Sequence, residues 1–331
     1  MGSVKRADAR VTGGASTMVL SPTDEPALDA PVPTWFSGAV SRALTSHFVE
    51  YDGCRLHYLD WGRPAEREAP TPALMFLHGG GAHANWWRFI APFFADTFHV
   101  IAPDLSGMGD SGRREHYDSA VRAAELDAVA RAAGLYEGLP PIVIGHSFGG
   151  FTGIRFASDF GDALGGFVMI DTPIRPPADE ARHFAERPER DAAARRYDAY
   201  DDALVRFRLR PKQTCRNAFA VEFIARHSIT QTPNGWTWKF DPQALSKNRH
   251  AEPFPDYLAS IRTPVALLYG ERSALTTQPV IRHMQSLVSQ PMPAIGIPQA
   301  QHHVLLDEPL ALVAALRGLL GGWAVSGVLR R

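Results

Sequence analysis

Ser147 stands in a segment whose residue types and spacing are typical of a nucleophile. Residues 145–150 read Gly-His-Ser-Phe-Gly-Gly, directly after the apolar run 142–144 and before a helical pattern. A serine on a sharp turn from strand to helix needs a glycine two positions to either side, because its strained backbone approaches the neighbouring chain closely. The following helix also points its positive end at the serine. We therefore predict a nucleophile, against the alternative of a glycine-rich turn whose serine only caps a helix.

A second glycine-rich segment, His-Gly-Gly-Gly at 78–81, follows an earlier apolar run. Transfer of an acyl group builds negative charge on a carbonyl oxygen, and preformed N–H donors stabilise that charge. We expect the amides of Gly80 and Phe148 to be the two donors of such an oxyanion hole. His78 is expected to make structural hydrogen bonds there, and it is also one of the residues that we assign to the pocket.

The elements that must position these segments alternate along the chain. Short apolar runs read as strands buried on both faces, and amphipathic patterns between them read as helices, which together indicate a mostly parallel sheet between helical layers. The runs span 73–77, 98–102, 142–144, 167–170, 265–269 and 294–297. The helical patterns span 84–95, 118–133, 148–160, 277–289 and 308–320. A hairpin over 47–61 precedes them, and residues 175–258 interrupt the alternation.

Taken together, these motifs resemble the α/β-hydrolase fold family, and in particular its cap-bearing serine enzymes, over about residues 45–322. Residues 104–111 resemble the family's D-x-x-G-x-G-x-S loop, and Trp87 matches a packing aromatic. The resemblance implies an α/β fold with a mostly parallel eight-stranded sheet flanked by helices. It divides the chain into a flexible N-terminal extension (1–40), a core (41–172 and 259–325) and an inserted helical cap (173–258).

The resemblance also implies a catalytic histidine in the segment 300–309. The family's histidine precedes a proline by seven residues, which here selects His302, with its neighbour His303 as the competitor. Histidine suits the task of a general base near neutral pH. His303 is then expected to pack or hydrogen-bond beside the site.

The acid that should orient the histidine is less obvious. Members of the family usually carry it after their seventh strand, where this chain has Ser273 and Ala274. Other members carry it after strand six, where this chain has Asp171, and the order Ser147, Asp171, His302 agrees with the family's order. We therefore predict Asp171, with Glu271 as the alternative acid and a dyad without an acid as the remaining alternative.

Pocket residues are expected near the oxyanion segment and in the cap, where aromatic side chains suit a hydrophobic or aromatic substrate. The alternative is that the cap aromatics form the cap's own core. The predicted pocket residues are His78, His83, Trp86, Trp236, Trp238 and His303.

Composition excludes several classes of protein. The chain has 331 residues with 34 Lys and Arg against 35 Asp and Glu, a net charge of −1, so nucleic acid is not expected as a partner. No apolar stretch is long enough to cross a membrane. Cys54 and Cys215 cannot form a disulfide framework, which favours a cytoplasmic location. No metal-ligand motif or cofactor fingerprint occurs, so we expect no metal and no cofactor. The expected partner is a small-molecule substrate, with neither a membrane nor nucleic acid. A homodimer is possible.

The predicted function is therefore a serine hydrolase that cleaves a small hydrophobic or aromatic carboxylic ester, thioester or lactone through an acyl-enzyme at Ser147, with His302 as base. The alternative from the same fold is a cofactor-independent oxygenase or a carbon–carbon bond hydrolase that uses His302 and Asp171 as the base. A non-catalytic ligand-binding member is a lesser alternative.

Overall fold

The computed structural model of the protein describes residues 18–20, 28, 31–64, 71–185, 195–245 and 252–326. In chain order the strands are β1 (Met18–Leu20), β2 (Leu44–Tyr51), β3 (Cys54–Asp60), β4 (Ala73–Leu77), β5 (His99–Pro103), β6 (Ile142–His146), β7 (Gly166–Ile170), β8 (Arg196–Tyr197), β9 (Ile229–Thr232), β10 (Gly235–Trp238), β11 (Val265–Gly270) and β12 (Ala294–Ile297). The helices are α1 (Thr34–Val40), α2 (Ser119–Ala132), α3 (Phe148–Phe160), α4 (Pro177–Ala185), α5 (Tyr200–Leu204), α6 (Ala218–His227), α7 (Phe254–Ser260), α8 (Gln278–Leu287), α9 (Val304–Asp307) and α10 (Pro309–Val325).

One large sheet organises the molecule, with the strand order β1-β2-β3-β5-β4-β6-β7-β11-β12. The strands from β5 to β12 in this order run parallel, and the β2–β3 hairpin and β1 extend the sheet in antiparallel fashion. The predicted fold is confirmed: β2–β7, β11 and β12 are the eight expected strands, and β1 adds a ninth at the edge.

The strands are uniformly apolar because both faces of the sheet are covered. Successive side chains of a strand point to opposite faces, and in β4 Leu74 and Phe76 join one hydrophobic cluster while Met75 and Leu77 join the other. The first cluster packs under α1, α6 and α10, and the second under α2, α3, α7 and α8. Four strands, β4, β5, β6 and β7, are buried at every position, and β11 is buried at every position but one. The buried strands therefore form a rigid platform for the loops at their ends.

The segment 84–95, which reads as a helix, forms two short 3-10 turns instead, over Ala84–Trp87 and Ala91–Phe93. Pro92 has no N–H to donate and prevents a continuous α-helix through this segment. The Asp104 carboxylate accepts a hydrogen bond from the Ala84 amide at 2.6 Å, which stabilises the first turn. Trp87, Phe89, Ile90 and Phe94 are still buried and Phe93 is half-buried, because 3-10 turns also place apolar side chains against the sheet.

The cap differs from the purely helical insertion that we predicted. Besides α4, α5 and α6 it contains a small antiparallel sheet in the order β8-β10-β9. The turn between β9 and β10 ends at Gly235, whose φ of 102° suits glycine. The alternation of the β-branched and aromatic residues of 229–238 accounts for these strands, since such residues favour a half-buried pleated surface.

The predicted N-terminal extension also differs from the structure at its C-terminal end. Most of residues 1–32 lie outside the described residues, but Thr34–Val40 forms helix α1. Phe36 is completely buried, with its ring centre 5.4, 4.9 and 5.6 Å from those of Phe89, Phe219 and Phe223. Helix α1 therefore joins the core to the cap and belongs to the folded domain.

None of the helices in the described ranges combines the length and apolar character that crossing a bilayer requires.

Replacing Phe36 by Ala should lower the free energy of unfolding by about 3–5 kcal/mol, because it removes a fully buried ring and leaves a cavity. Chemical denaturation measures this change. The control Thr34→Ala, at an exposed position of the same helix, should change stability by less than about 0.5 kcal/mol. Equal, small effects of both substitutions would show that α1 is not part of the cooperative core.

Candidate active site

Ser147 lies at the turn between β6 and α3 in a backbone conformation that few non-glycine residues adopt. Its φ is 52° and its ψ is −114°, and its amide donates to the Ile170 carbonyl at 2.9 Å. A Cβ atom at Gly149 would lie only 2.5 Å from the His78 carbonyl oxygen, and one at Gly145 only 2.6 Å from the Gly149 oxygen. The two flanking glycines are therefore required by close backbone approach, as the sequence motif predicted.

The structure brings Ser147, His302 and Asp171 together in one hydrogen-bonded chain. His302 Nδ1 lies 2.8 Å from Asp171 Oδ1, and His302 Nε2 lies 2.9 Å from Ser147 Oγ. A carboxylate can only accept, so Nδ1 carries the proton and Nε2 presents its lone pair to the serine hydroxyl. This tautomer is the one that lets the imidazole take a proton from the serine.

Asp171 follows β7 and is completely buried, at a strained φ of 43°. Its Oδ1 also accepts hydrogen bonds from Ser273 Oγ at 2.7 Å and Thr276 Oγ1 at 3.0 Å, and its Oδ2 accepts the Gly270 amide at 3.0 Å. These donors offset the cost of burying a carboxylate and hold it toward His302. The sequence analysis did not predict that Ser273 and Thr276 donate to the acid. The signal that could have indicated this role is their place in the loop after β11, where the family usually carries its acid.

Glu271, the alternative acid, does not face the histidine. Its side chain is exposed, its amide donates to the Ile297 carbonyl at 3.1 Å, and its Cγ lies near Gly296 of β12. The loop after β11 turns Ser273 toward the interior and leaves Glu271 outside. The prediction of Glu271 as an alternative acid is therefore wrong.

The two expected oxyanion residues are neighbours in space. A Cβ atom placed on Gly80 would lie 3.3 Å from the Cβ of Phe148, the first residue of α3. It would lie 3.0 Å from Leu245 Cδ2 of the cap. The backbone of Gly80 thus passes beside the N-terminal end of α3, with a cap leucine directly over it.

His146 and His303 adjoin His302 on two sides. His146 Nε2 donates to the His302 carbonyl at 2.9 Å, which ties the serine turn to the histidine loop. The His303 amide donates to Gln213 Oε1 at 3.1 Å, and its Nε2 donates to the Pro211 carbonyl at 3.3 Å. Burial, followed by the charge of His302, lowers the pKa of His303 to about 3 and holds the pKa of His146 well below its ordinary value. Both rings are therefore neutral near pH 7.

The remaining predicted pocket residues fall into two groups. His78 and His83 are buried, and each makes a structural hydrogen bond. His78 Nε2 accepts a hydrogen bond from the Leu105 amide at 3.0 Å, and His83 Nε2 lies 2.9 Å from Ser228 Oγ of the cap. Trp86 lies beside the site, with its ring centre 5.6 Å from that of His303. The sequence places these three residues on one loop, and the fold puts the ring of Trp86 against that of His303.

Trp236 and Trp238 lie on β10 and pack on aromatic residues of the cap itself. The ring centre of Trp236 is 5.2 Å from that of Tyr200, and that of Trp238 is 5.7 Å from that of Tyr197. These contacts agree with the alternative that the cap aromatics form the cap's own core, and a place for the two tryptophans in the pocket stays a prediction.

Comparison with known proteins agrees with this fold. The sequence model of the alpha/beta hydrolase family matches residues 74–316, so the chain belongs to this family and is a hydrolytic enzyme. It is 26% identical to Esterase Rv0045c of Mycobacterium tuberculosis over 271 residues, 79% of this chain and 85% of that one. It is 27% identical to the pimeloyl-(acyl-carrier protein) methyl ester esterase of Chromobacterium violaceum over 254 residues, 74% of this chain and 92% of that one. These relatives make it an esterase-like member of the family.

A solved structure shows the same fold. The crystal structure of E-2-(acetamidomethylene)succinate hydrolase superposes with a TM-score of 0.67 at 20% identity, covering 84% of this chain and 99% of that one. At this identity the likeness concerns the fold alone.

Replacing Asp171 by Asn should lower kcat by roughly 10⁴-fold, because the amide no longer fixes the reactive tautomer of His302. The matched control is Glu271→Gln, which should change kcat less than about twofold, since Glu271 is exposed and apart from the histidine. Steady-state kinetics of both variants on one ester measure this difference. A larger fall for Glu271→Gln would contradict the assignment of the acid.

Proposed function

We propose that the protein hydrolyses a small carboxylic ester, thioester or lactone through an acyl-enzyme at Ser147. The hydrogen-bonded chain from Ser147 through His302 to Asp171 carries this proposal, because its distances and tautomer match those that acyl transfer requires. The esterase relatives support ester cleavage as the type of reaction.

In the first half of the reaction His302 Nε2 takes the proton of Ser147 as the serine oxygen attacks the substrate carbonyl. The Asp171 carboxylate stabilises the imidazolium that forms. The amides of Gly80 and Phe148 receive the negative charge of the tetrahedral intermediate, helped by the N-terminal end of α3. His302 then protonates the leaving alcohol or thiol, and the acyl group stays on Ser147.

In the second half a water molecule replaces the leaving group. His302 takes a proton from the water, which attacks the acyl carbonyl, and the proton passes to Ser147 as the ester bond breaks. The neutral state of His146 and His303 supports this sequence, because neither ring adds positive charge that would weaken His302 as a base.

The substrate proposed is small and apolar. Leu245 lies over Gly80, and Phe148 and Trp86 are both buried beside the reacting groups. Such surroundings favour a short apolar or aromatic acyl group over a charged one.

Ser147→Ala should lower ester hydrolysis by on the order of 10⁴–10⁶, because it removes the nucleophile itself. A panel of p-nitrophenyl esters of increasing acyl length measures the loss and identifies the preferred acyl group, expected among the short or aromatic members. A fluorophosphonate probe should label the wild type and not this variant.

The matched control for this experiment is Ser158→Ala, which removes a serine near the opposite end of the same helix. It should keep both the hydrolysis and the labelling. Hydrolysis that survives Ser147→Ala but disappears in His302→Ala would contradict the acyl-enzyme and favour a histidine-based oxygenase mechanism.

A further inference from the structure

Three histidines form a buried cluster in which two of the three rings have no part in the proposed hydrolysis. The ring centre of His302 lies 5.0 Å from that of His146 and 5.0 Å from that of His303, and the outer two are 5.7 Å apart. The exposed fractions of His146, His302 and His303 are 1%, 4% and 3%. Each residue offers one ring nitrogen, and these three atoms lie within 4.8 Å of one another.

Hydrogen bonds determine where the lone pairs of the outer two rings lie. His146 Nε2 faces the His302 carbonyl and His303 Nε2 faces the Pro211 carbonyl. A carbonyl oxygen only accepts, so both Nε2 atoms carry the proton and the Nδ1 atoms carry the lone pairs. Neither Nδ1 has a hydrogen-bond partner within the described part of the chain. Two buried imidazole lone pairs are therefore available to a ligand that accepts electron density.

His302 supplies a third lone pair, at Nε2, which accepts the Ser147 hydroxyl in the resting site. Its Nδ1 donates to Asp171, and a carboxylate behind an imidazole is the arrangement that orients histidines toward metal ions. Neutral imidazoles are good ligands for divalent ions late in the first transition series.

We propose that His146, His302 and His303 bind one divalent transition-metal ion of the zinc type, and that this ion inhibits the enzyme. The inhibitory part rests on the proposed function: the metal takes the Nε2 lone pair of His302, so the ring no longer accepts the proton of Ser147. Two of the ligands are adjacent in the chain and the third precedes the nucleophile, so the fold and not a sequence motif assembles the site.

Binding requires a small inward movement of the rings. Zinc–nitrogen bonds of about 2.0–2.1 Å in a tetrahedral site place the nitrogens roughly 3.4 Å apart, closer than the 4.8 Å limit observed here. Rotations that bring each nitrogen inward by about an ångström supply the difference. The fourth position is then open to water or to Ser147.

Isothermal titration calorimetry of the untagged protein with zinc chloride tests the site. Wild type and Ser147→Ala should each bind one zinc ion per chain, because both keep the three imidazoles. His303→Gln and His146→Gln retain a donor for the carbonyl that each histidine contacts but lose the imidazole lone pair. Each should bind zinc at least tenfold more weakly, and thermal melting checks that each variant is folded; His303→Gln suffices if His146→Gln does not fold.

His83→Gln is the matched control. His83 is also a buried histidine whose Nδ1 lacks a hydrogen-bond partner among the described residues, but it lies outside the cluster. This variant should bind zinc as the wild type does. With cobalt in place of zinc, the visible spectrum of the wild type should show tetrahedral coordination, and that of His303→Gln should not.

Inhibition is measured on the same samples, with each variant compared with its own metal-free rate. Zinc should inhibit wild type over the concentration range in which it binds, and His303→Gln should need at least tenfold more. Absence of binding, or binding that is equal in wild type, His303→Gln and His146→Gln, overturns the site. One zinc ion bound at the cluster without inhibition overturns the inhibitory mechanism. Zinc binding to a protein that hydrolyses no ester supports the site and contradicts the proposed function instead.

Discussion

The close approach of helix α3 to the end of strand β4 is the constraint on which the rest of this site depends. With Gly149 at the second position of α3, the backbone passes within atomic contact of the Leu77 and His78 carbonyls. Any side chain there would push the helix away. The approach forces Ser147 into its positive φ and sets Phe148 beside Gly80. One glycine therefore determines both the exposure of the nucleophile and the spacing of the oxyanion donors.

The parallel sheet supplies the other half of the geometry. Strands β6, β7 and β11 are neighbours, and the residues that follow β6 and β7 are Ser147 and Asp171. Because parallel strands end at the same edge, side chains far apart in the chain arrive within hydrogen-bond distance. The loop after β12 then needs only to place His302 between them, and the hydrogen bond from His146 to the His302 carbonyl holds it in place. The strict burial of the strands keeps these ends rigid.

Much of this arrangement could be predicted from the sequence because it depends on local patterns. The apolar runs identified the strands of the core, and the glycines around Ser147 identified the turn. Other features depend on tertiary contacts that no local pattern reports. The choice between Asp171 and Glu271 rests on which way the loop after β11 turns, and the packing of Trp236 inside the cap rests on strands that are too short to recognise. Phe36 reads as part of a polar, proline-rich terminus until its aromatic partners are known.

The hydroxyl of Ser273 has a consequence for how this architecture can be altered. It occupies the loop where relatives of this fold more often carry the acid, and it lies 2.7 Å from Asp171. A carboxylate introduced at 273 would face the existing one at this distance, and two like charges so close cannot both ionise. Only one of the two positions, 171 or 273, can therefore carry an ionised acid. Moving the acid from the end of β7 to the end of β11 requires two substitutions together: loss of the acid at 171 and gain of an acid at 273. A protein with either substitution alone should function poorly.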